Sequence, residues 1–504
     1  MRTIVAAAAA IATGLAAGAA VAGKADDTLN AAFLAEPEAM DHYKIAGREG
    51  LIIARHIYDG LLEKDVVSNT VKPALATAWT FIDPLTIELQ LREGVTFHDG
   101  SAFDADDVVY TLETVKDAAY GARYRFTVDW IDRVEKIDAY KVRLHMARPN
   151  AVAAEMLGNM LPIYPSDYFK AVGSQGMAAK PVGTGPYRLV EMSPGTRYVM
   201  ERFDGHYAGS PKGKPAIKRV VVRAMPEGST QYAELLTGRL DWIWRVPPDQ
   251  AKRLATQPAV QIVNGSIMRI GYVQFNVRGK GKTFATADKR VREAILHAVD
   301  REKIMGAFVG GASKVQHAAC NPAQFGCFQD VKRYAYDPAR ARALLAEAGH
   351  AGGLDLELLF SAMPRPQAEA MASDLGKVGI RAALNEQQYA AAAQRWRAGE
   401  APFMLANWGS YGIADVSFIL DQFFAGGGDD MLGDAQMQGW LKEATTTNDP
   451  KVREDRYRKA LQKIADEAWW MSLWDFNVNY GLSKDLAFRP DPDEYARWWQ
   501  AKWK

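Results

Sequence analysis

Hydrophobic and polar positions alternate strictly through 86–91, TIELQL, the signature of a half-buried strand, and recur with helical spacing through 48–62, where Ile52, Ile53, His56, Ile57 and Leu61 share a face. Residues 28–34, TLNAAFL, read as an opening strand. Residues 78–81, AWTF, read as a hairpin arm that turns at Asp83-Pro84, with a further turn at His98-Asp99-Gly100. The acidic cluster Asp104, Asp106, Asp107 runs directly into the apolar positions Val108, Val109 and Leu112. Such a run predicts an N-cap and an acidic first helical turn, where carboxylates accept free N–H groups and complement the helix dipole. It lacks the alternate donors, central glycine and terminal Glu of a calcium loop. Strands and helices continue in mixed order with no repeat and no low-complexity linker.

The stretch PVGTGPYRLVE, 181–191, carries a Gly-x-Gly pair. A phosphate loop needs its glycines between a strand and a helix, with backbone N–H groups converging on the anion. Pro186 removes one of those N–H groups, and the alternation from Tyr187 onward predicts a strand. The pair is read as a turn entering that strand.

The chain has 504 residues, more than one core usually organises, so two or three domains are expected. Residues 1–22 hold one charge, Arg2, then a small and aliphatic run ending in Ala20-Val21-Ala22, which fits a cleavable export signal. No cysteine stands at that site to carry a lipid anchor, so the mature chain is expected in the periplasm, beginning at Gly23. The formal net charge is +1, and loss of Arg2 with the leader brings it to zero. No basic block stands out, which argues against a nucleic-acid partner. The two cysteines, Cys320 and Cys327, flank the turn formers Asn321-Pro322 and Gly326; in an oxidising compartment they predict a disulfide. Further thiols for a metal site are absent, so no metal is expected.

Enzyme motifs are missing. The chain contains no Gly-x-Ser-x-Gly, no His-Glu-x-x-His and no paired-cysteine zinc pattern. Gly281-Lys282-Thr283 mimics the tail of a Walker loop, but Asn276 stands where its first glycine belongs. The chain is read as a non-enzyme with no cofactor.

Several segments in order carry a resemblance: LATAW at 75–79, LREGVTFHDGSAFDADDVVYTLE at 91–113, GTGPY at 183–187, Phe275-Asn276, KRVREAILHAVDREKI at 289–304 and YDPARARALLAEAG at 336–349. Together they resemble the extracytoplasmic solute-binding proteins of peptide- and nickel-type ABC importers, across nearly the whole mature chain. The resemblance implies a periplasmic-binding-protein-like α/β fold with two lobes, hinge crossovers and an extra subdomain inserted in the first lobe. The expected division is a signal peptide at 1–22, a first lobe from 23–72, 182–274 and 480–504, its insert at 73–181, and a second lobe at 275–479. It also implies a monomer that closes over a small-molecule or short-peptide ligand and presents it to the transmembrane subunits of a permease.

In peptide-binding members an arginine within a segment similar to SAMPRPQAEAM holds the ligand carboxylate, which places Arg365 as a candidate; its alternative is an ordinary ion pair. Those members often carry an aspartate three residues after the tryptophan of a Gly-Trp segment, to hold the ligand amine. Here Trp408 is followed at that spacing by Tyr411. The departure predicts a ligand without a free amine, or one whose amine is met by Asp415, Glu36 or Asp41. Asp415 is equally placed to cap the helix that begins at 416–418. Tyr58, Tyr187, Trp408, Tyr411 and Trp474 are candidate apolar walls, whereas the pairs Trp469-Trp470 and Trp498-Trp499 are read as packing. A ligand sensor of the same fold and a secreted hydrolase stand as alternatives.

Overall fold

A computed structural model of the chain describes residues 23–37, 40–279, 281–361 and 363–504. The expected signal peptide lies outside the described residues. Ten strands form one mixed sheet, in the spatial order Ile380–Glu386, Leu354–Phe360, Phe403–Trp408, Val260–Phe275, Trp470–Ser483, Trp242–Ile243, Thr28–Phe33, Arg219–Ala224, Arg197–Arg202 and Tyr187–Ser193. Two strands are far longer than the others: Val260–Phe275 and Trp470–Ser483, paired antiparallel. On one side of this pair lie strands from the beginning and middle of the chain; on the other lie those from 354–408. The pair therefore splices two halves into one sheet.

The ladder between them is interrupted. Ile267 pairs with Phe476 and Ile270 with Asp475, so Met268 and Arg269 stand outside the register, and a second shift follows between Ile270 and Tyr272. A bulge of this kind breaks the pairing locally and re-aims side chains. Below the bulge Trp470–Ser483 continues toward Trp242–Ile243, and above it Val260–Phe275 also pairs with Phe403–Trp408.

A separate four-stranded antiparallel sheet, Ala76–Asp83, Thr86–Leu91, Lys141–Met146 and Ile131–Asp138 in that order, stands beside the first half. Its alternation buries Ile87, Leu89 and Leu91 on one face. Helix Ala105–Lys116 packs on that sheet and begins with the expected cap: Asp104 accepts from Asp106 N–H, and Asp107 reaches back to Asp104 N–H in a capping box. The GTGPY turn is what its position demanded. A Cβ on Gly183 or Gly185 would lie 2.3 or 2.5 Å from the carbonyl oxygens of Ile57 and His56, so only glycine lets this backbone cross the end of helix Arg48–Ile57.

One expectation needs correction. The helical pattern through 48–62 stops at Ile57, because Gly60 bridges to Pro162 and Leu62–Asp65 pairs with Thr70–Pro73 as a hairpin. Leu61, which prolonged the pattern, is buried in the bend before that hairpin, and Leu62 is buried as its first strand residue.

The disulfide between Cys320 and Cys327 is formed. Its loop braces a second loop, 409–416. The Gln324 amide nitrogen donates to Ser410 Oγ and to the carbonyls of Ile413 and Asp415, at 3.0, 3.2 and 3.1 Å. Phe325 N–H donates to Ala414 and Phe325 accepts from Val416 N–H. The opposite side of the same loop touches the first half. Glu155, on helix Ala153–Asn159, accepts from Ala414 N–H at 2.6 Å and pairs with Lys64 at 3.3 Å, while Ile413 packs into the first half's core.

Replacing both cysteines by serine is expected to cost about 2–3 kcal/mol of unfolding stability, the loop entropy of so short a bridge. The same change should speed hydrogen exchange at the Phe325 and Val416 amides, which join the two loops; exchange identical to wild type would contradict the bracing role. Burial pushes the Glu155 carboxyl up to about 6, with Asp415 adding to it, against the opposing pull of Lys64 and the Ala414 amide. The folded protein thus binds this proton more tightly than the unfolded chain, and stability linked to Glu155 falls as pH rises through the window from 4.5 to about 6. Glu155→Gln should remove that slope, about 2 kcal/mol across the window. Parallel melting-temperature profiles for wild type and variant would contradict it.

Candidate functional site

A cavity of about 350 Å³ opens where the two halves meet. The first half contributes the short turn His42–Lys44, the start of helix Arg48–Ile57, and Arg245; Tyr124 and Thr127 come from between helix Ala105–Lys116 and strand Ile131–Asp138; the second half contributes Tyr389 and 407–411. Arg269 enters from the bulge in the long strand pair, and Tyr495 from the C-terminal segment. Rings touch across the opening: Tyr411 lies 5.3 Å from Tyr124 and 4.9 Å from Phe126, and meets Trp408 edge-on at 5.6 Å. A small-ligand cleft has this composition, aromatic walls with a few convergent polar groups.

The chain holds several of these residues in an unfavourable backbone conformation. Arg245, Ser410, Tyr411 and Glu494 have φ of 56°, 46°, 52° and 62°, in the left-handed region that non-glycine residues rarely occupy. They are four of the seven such residues among those described, and all four lie in or beside the cavity. Strain of about 1–3 kcal/mol per residue persists only where the surroundings over-determine it, which happens at binding sites. Here the disulfide loop fixes Ser410, and the buried ion pairs of Arg497 with Asp491 and Asp493, at 3.0 and 2.7 Å, fix the segment bearing Glu494 and Tyr495. Gly409 makes room for Arg269, whose Nη2 would lie 2.8 Å from a Cβ there.

Three guanidinium groups line the cavity: Arg48, Arg245 and Arg269. Arg48 and Arg269 share one buried carboxylate, Glu494, at 3.8 and 3.5 Å, and Arg245 pairs with the buried Glu49 at 3.2 Å. Arg48 also lies 4.4 Å over the Tyr495 ring, and Arg269 donates to Asn407 Oδ1 at 2.6 Å. His42 is neutral near pH 7, because burial pulls its pKa down to about 4. Neither Asp nor Glu is among the described residues that line the cavity.

Of the sequence candidates, the structure brings Trp408 and Tyr411 into the cleft. Others stand elsewhere. Arg365 heads helix Arg365–Gly376 half-exposed, paired with Glu386 at 2.9 Å and Glu369 at 3.7 Å, and does not line the cavity. Asp415 is buried against Arg453 at 2.7 Å and accepts from the N–H of Ser417, the first residue of helix Ser417–Phe424, whose N-cap is Val416. Asp41 is fully buried, receiving the hydroxyls of Tyr120, Tyr164 and Ser174. Glu36 is held by the Tyr198 hydroxyl and by Gly195 N–H. Tyr58 and Tyr187 are core rings whose hydroxyls donate to the carbonyls of Met40 and Ile217, and Trp474 is buried in the second half. The Trp470 and Trp498 rings pack, as expected, against Tyr272 and Trp242. Sequence reasoning missed the three arginines and Tyr495. No local motif marks them, since each comes from a different element and they meet only in the folded chain.

Residues 70–431 match the family model described as "Bacterial extracellular solute-binding proteins, family 5 Middle". The chain is 27% identical over 448 residues to the dipeptide-binding protein of Escherichia coli strain K12, covering 82% of each. It is 27% identical over 471 residues to glutathione-binding protein GsiB of Salmonella paratyphi A, covering 89% of each. The solved structure of HbpA2 from Haemophilus parasuis superposes with a TM-score of 0.85 at 23% identity, over 95% of this chain and all of that one. No described helix is long and apolar enough to cross a membrane. With the family model spanning well over half of the sequence and the fold shared throughout, the chain belongs to the family 5 extracellular solute-binding proteins of ABC importers.

Proposed function

We propose that this chain, exported to the periplasm by the leader at 1–22, captures a peptide-like or other small polar organic solute as a monomer and hands it to the transmembrane subunits of a permease. The observation that carries this reading is the cavity itself, walled from both halves and set beside the interruption in the two strands that join them. The halves move about the Met268–Arg269 bulge, where the ladder is already broken and a change of backbone angle sacrifices few hydrogen bonds. The contacts of Tyr411 with Tyr124 and Phe126 are those of the closed form; they part on opening to admit the ligand, and their return removes it from water. The relatives' names span dipeptides and glutathione, so the ligand of this chain is to be read from its own cleft. Tyr411 stands in place of an amine-holding acid, which favours a ligand other than an unmodified dipeptide.

Protein purified from its native periplasm and examined by native mass spectrometry should carry one small molecule per chain, and deletion of the gene should abolish uptake of that compound. Protein that captures no small molecule from periplasm or growth medium would overturn the reading. Because Arg365 sits in exposed ion pairs, worth about 0–1 kcal/mol, Arg365→Ala should change affinity for the released compound by less than about fivefold. A loss of a hundredfold or more by calorimetry would restore Arg365 as a ligand contact.

A further inference from the structure

The charge around the cleft does not balance. Three guanidinium groups face the cavity, and the carboxylates that pair with them are two, Glu49 and Glu494, both buried behind the lining. Glu494 is shared between Arg48 and Arg269 at distances beyond a good hydrogen bond, 3.8 and 3.5 Å. Each of these arginines therefore keeps donor N–H groups for another acceptor. Trp408, in the same wall, has an indole N–H buried without an acceptor among the described residues. The aromatic walls lower the local dielectric, which strengthens an ion pair made to the ligand and penalises a like charge.

We propose that the cleft selects an organic anion that carries no ammonium group, with its acid group held by Arg48, Arg245 and Arg269 and its apolar or planar body between Trp408, Tyr411 and Tyr495. This rests on the solute-capture reading and names the ligand class for it. An acid group completes the third charge pair, and guanidinium forks suit a carboxylate or phosphonate through paired N–H donors. A free ammonium would enter a wall that offers it no carboxylate and already holds one unbalanced positive charge, three guanidinium groups against two carboxylates. N-acylated amino acids, N-capped peptides and aryl or alkyl acids of similar size share the required chemistry. Glu494 is a positioning residue: it orients two of the arginines without itself lining the cavity.

The test starts from small molecules extracted from spent bacterial medium and split by ion exchange into anionic, neutral-zwitterionic and cationic fractions. Each is offered to the full-length mature protein, with retention read by native mass spectrometry. The anionic fraction should supply the retained mass, and that compound should not react with an amine-tagging reagent. Arg245→Gln and Arg269→Gln, each checked for an unchanged melting temperature, should lower affinity for it at least tenfold, while Lys214→Gln, at an exposed residue that does not line the cavity, should not. Should an arginine variant fail to fold, Glu494→Gln supplies the same readout, since loosening the two arginines should weaken binding of the anion several-fold. Retention from the cationic or zwitterionic fraction, or of an amine-reactive compound, overturns the anion assignment and leaves solute capture standing. Retention from no fraction overturns both.

Discussion

The pairing of Val260–Phe275 with Trp470–Ser483 holds the rest of the molecule in place. Both strands run through the junction, so the two halves share a sheet and meet at a fixed position. The cleft lies beside the stretch from Ile267 to Tyr272, where that pairing is interrupted. Were the ladder continuous, Arg269 would follow the alternation of its strand; standing outside the register, it turns toward the cavity and meets Asn407 and Glu494. The same interruption thus places the joint proposed for closure beside a charge that faces the cavity.

Around this joint, loops are held by interactions that a ligand does not need to provide. The disulfide loop fixes 409–416 from the second half, Glu155 reaches it from the first, and Arg497 clamps the C-terminal segment with two buried aspartates. Burying such ion pairs is costly unless they are fully bonded, and Arg497 answers that cost with close contacts to both carboxylates. The result is a set of strained residues held in place around the cavity by the protein's own contacts.

Much of the fold was legible in the sequence because local chemistry decided it. Asp104 and Asp107 cap a helix wherever such residues precede an apolar face, and the GTGPY glycines mark a backbone crossing that any side chain would block. Cys320 and Cys327 were readable from spacing and compartment, and Trp408 and Tyr411 from their place in a recognisable loop. What escaped was tertiary. Arg48 sits at a helix start, Arg245 follows a two-residue strand and Arg269 occupies a bulge, and nothing in their neighbours signals convergence. Tyr58, Tyr187 and Trp474 were plausible walls by residue type and Asp41 a plausible partner for an amine, but all four are buried away from the cavity. The early end of helix Arg48–Ile57 has the same origin, since Leu61 and Leu62 satisfy a helical pattern and a buried hairpin equally well.

The central claim, that ligand is enclosed by movement of two halves about the interrupted strand pair, is tested most directly by an intramolecular distance. Donor and acceptor dyes placed at the exposed positions Val67 and Tyr336, one on each half, report the separation in single molecules. Added native ligand should shift the population to a single shorter distance, and removal of the ligand should restore the longer one. One distance, unchanged by saturating ligand, would contradict the account.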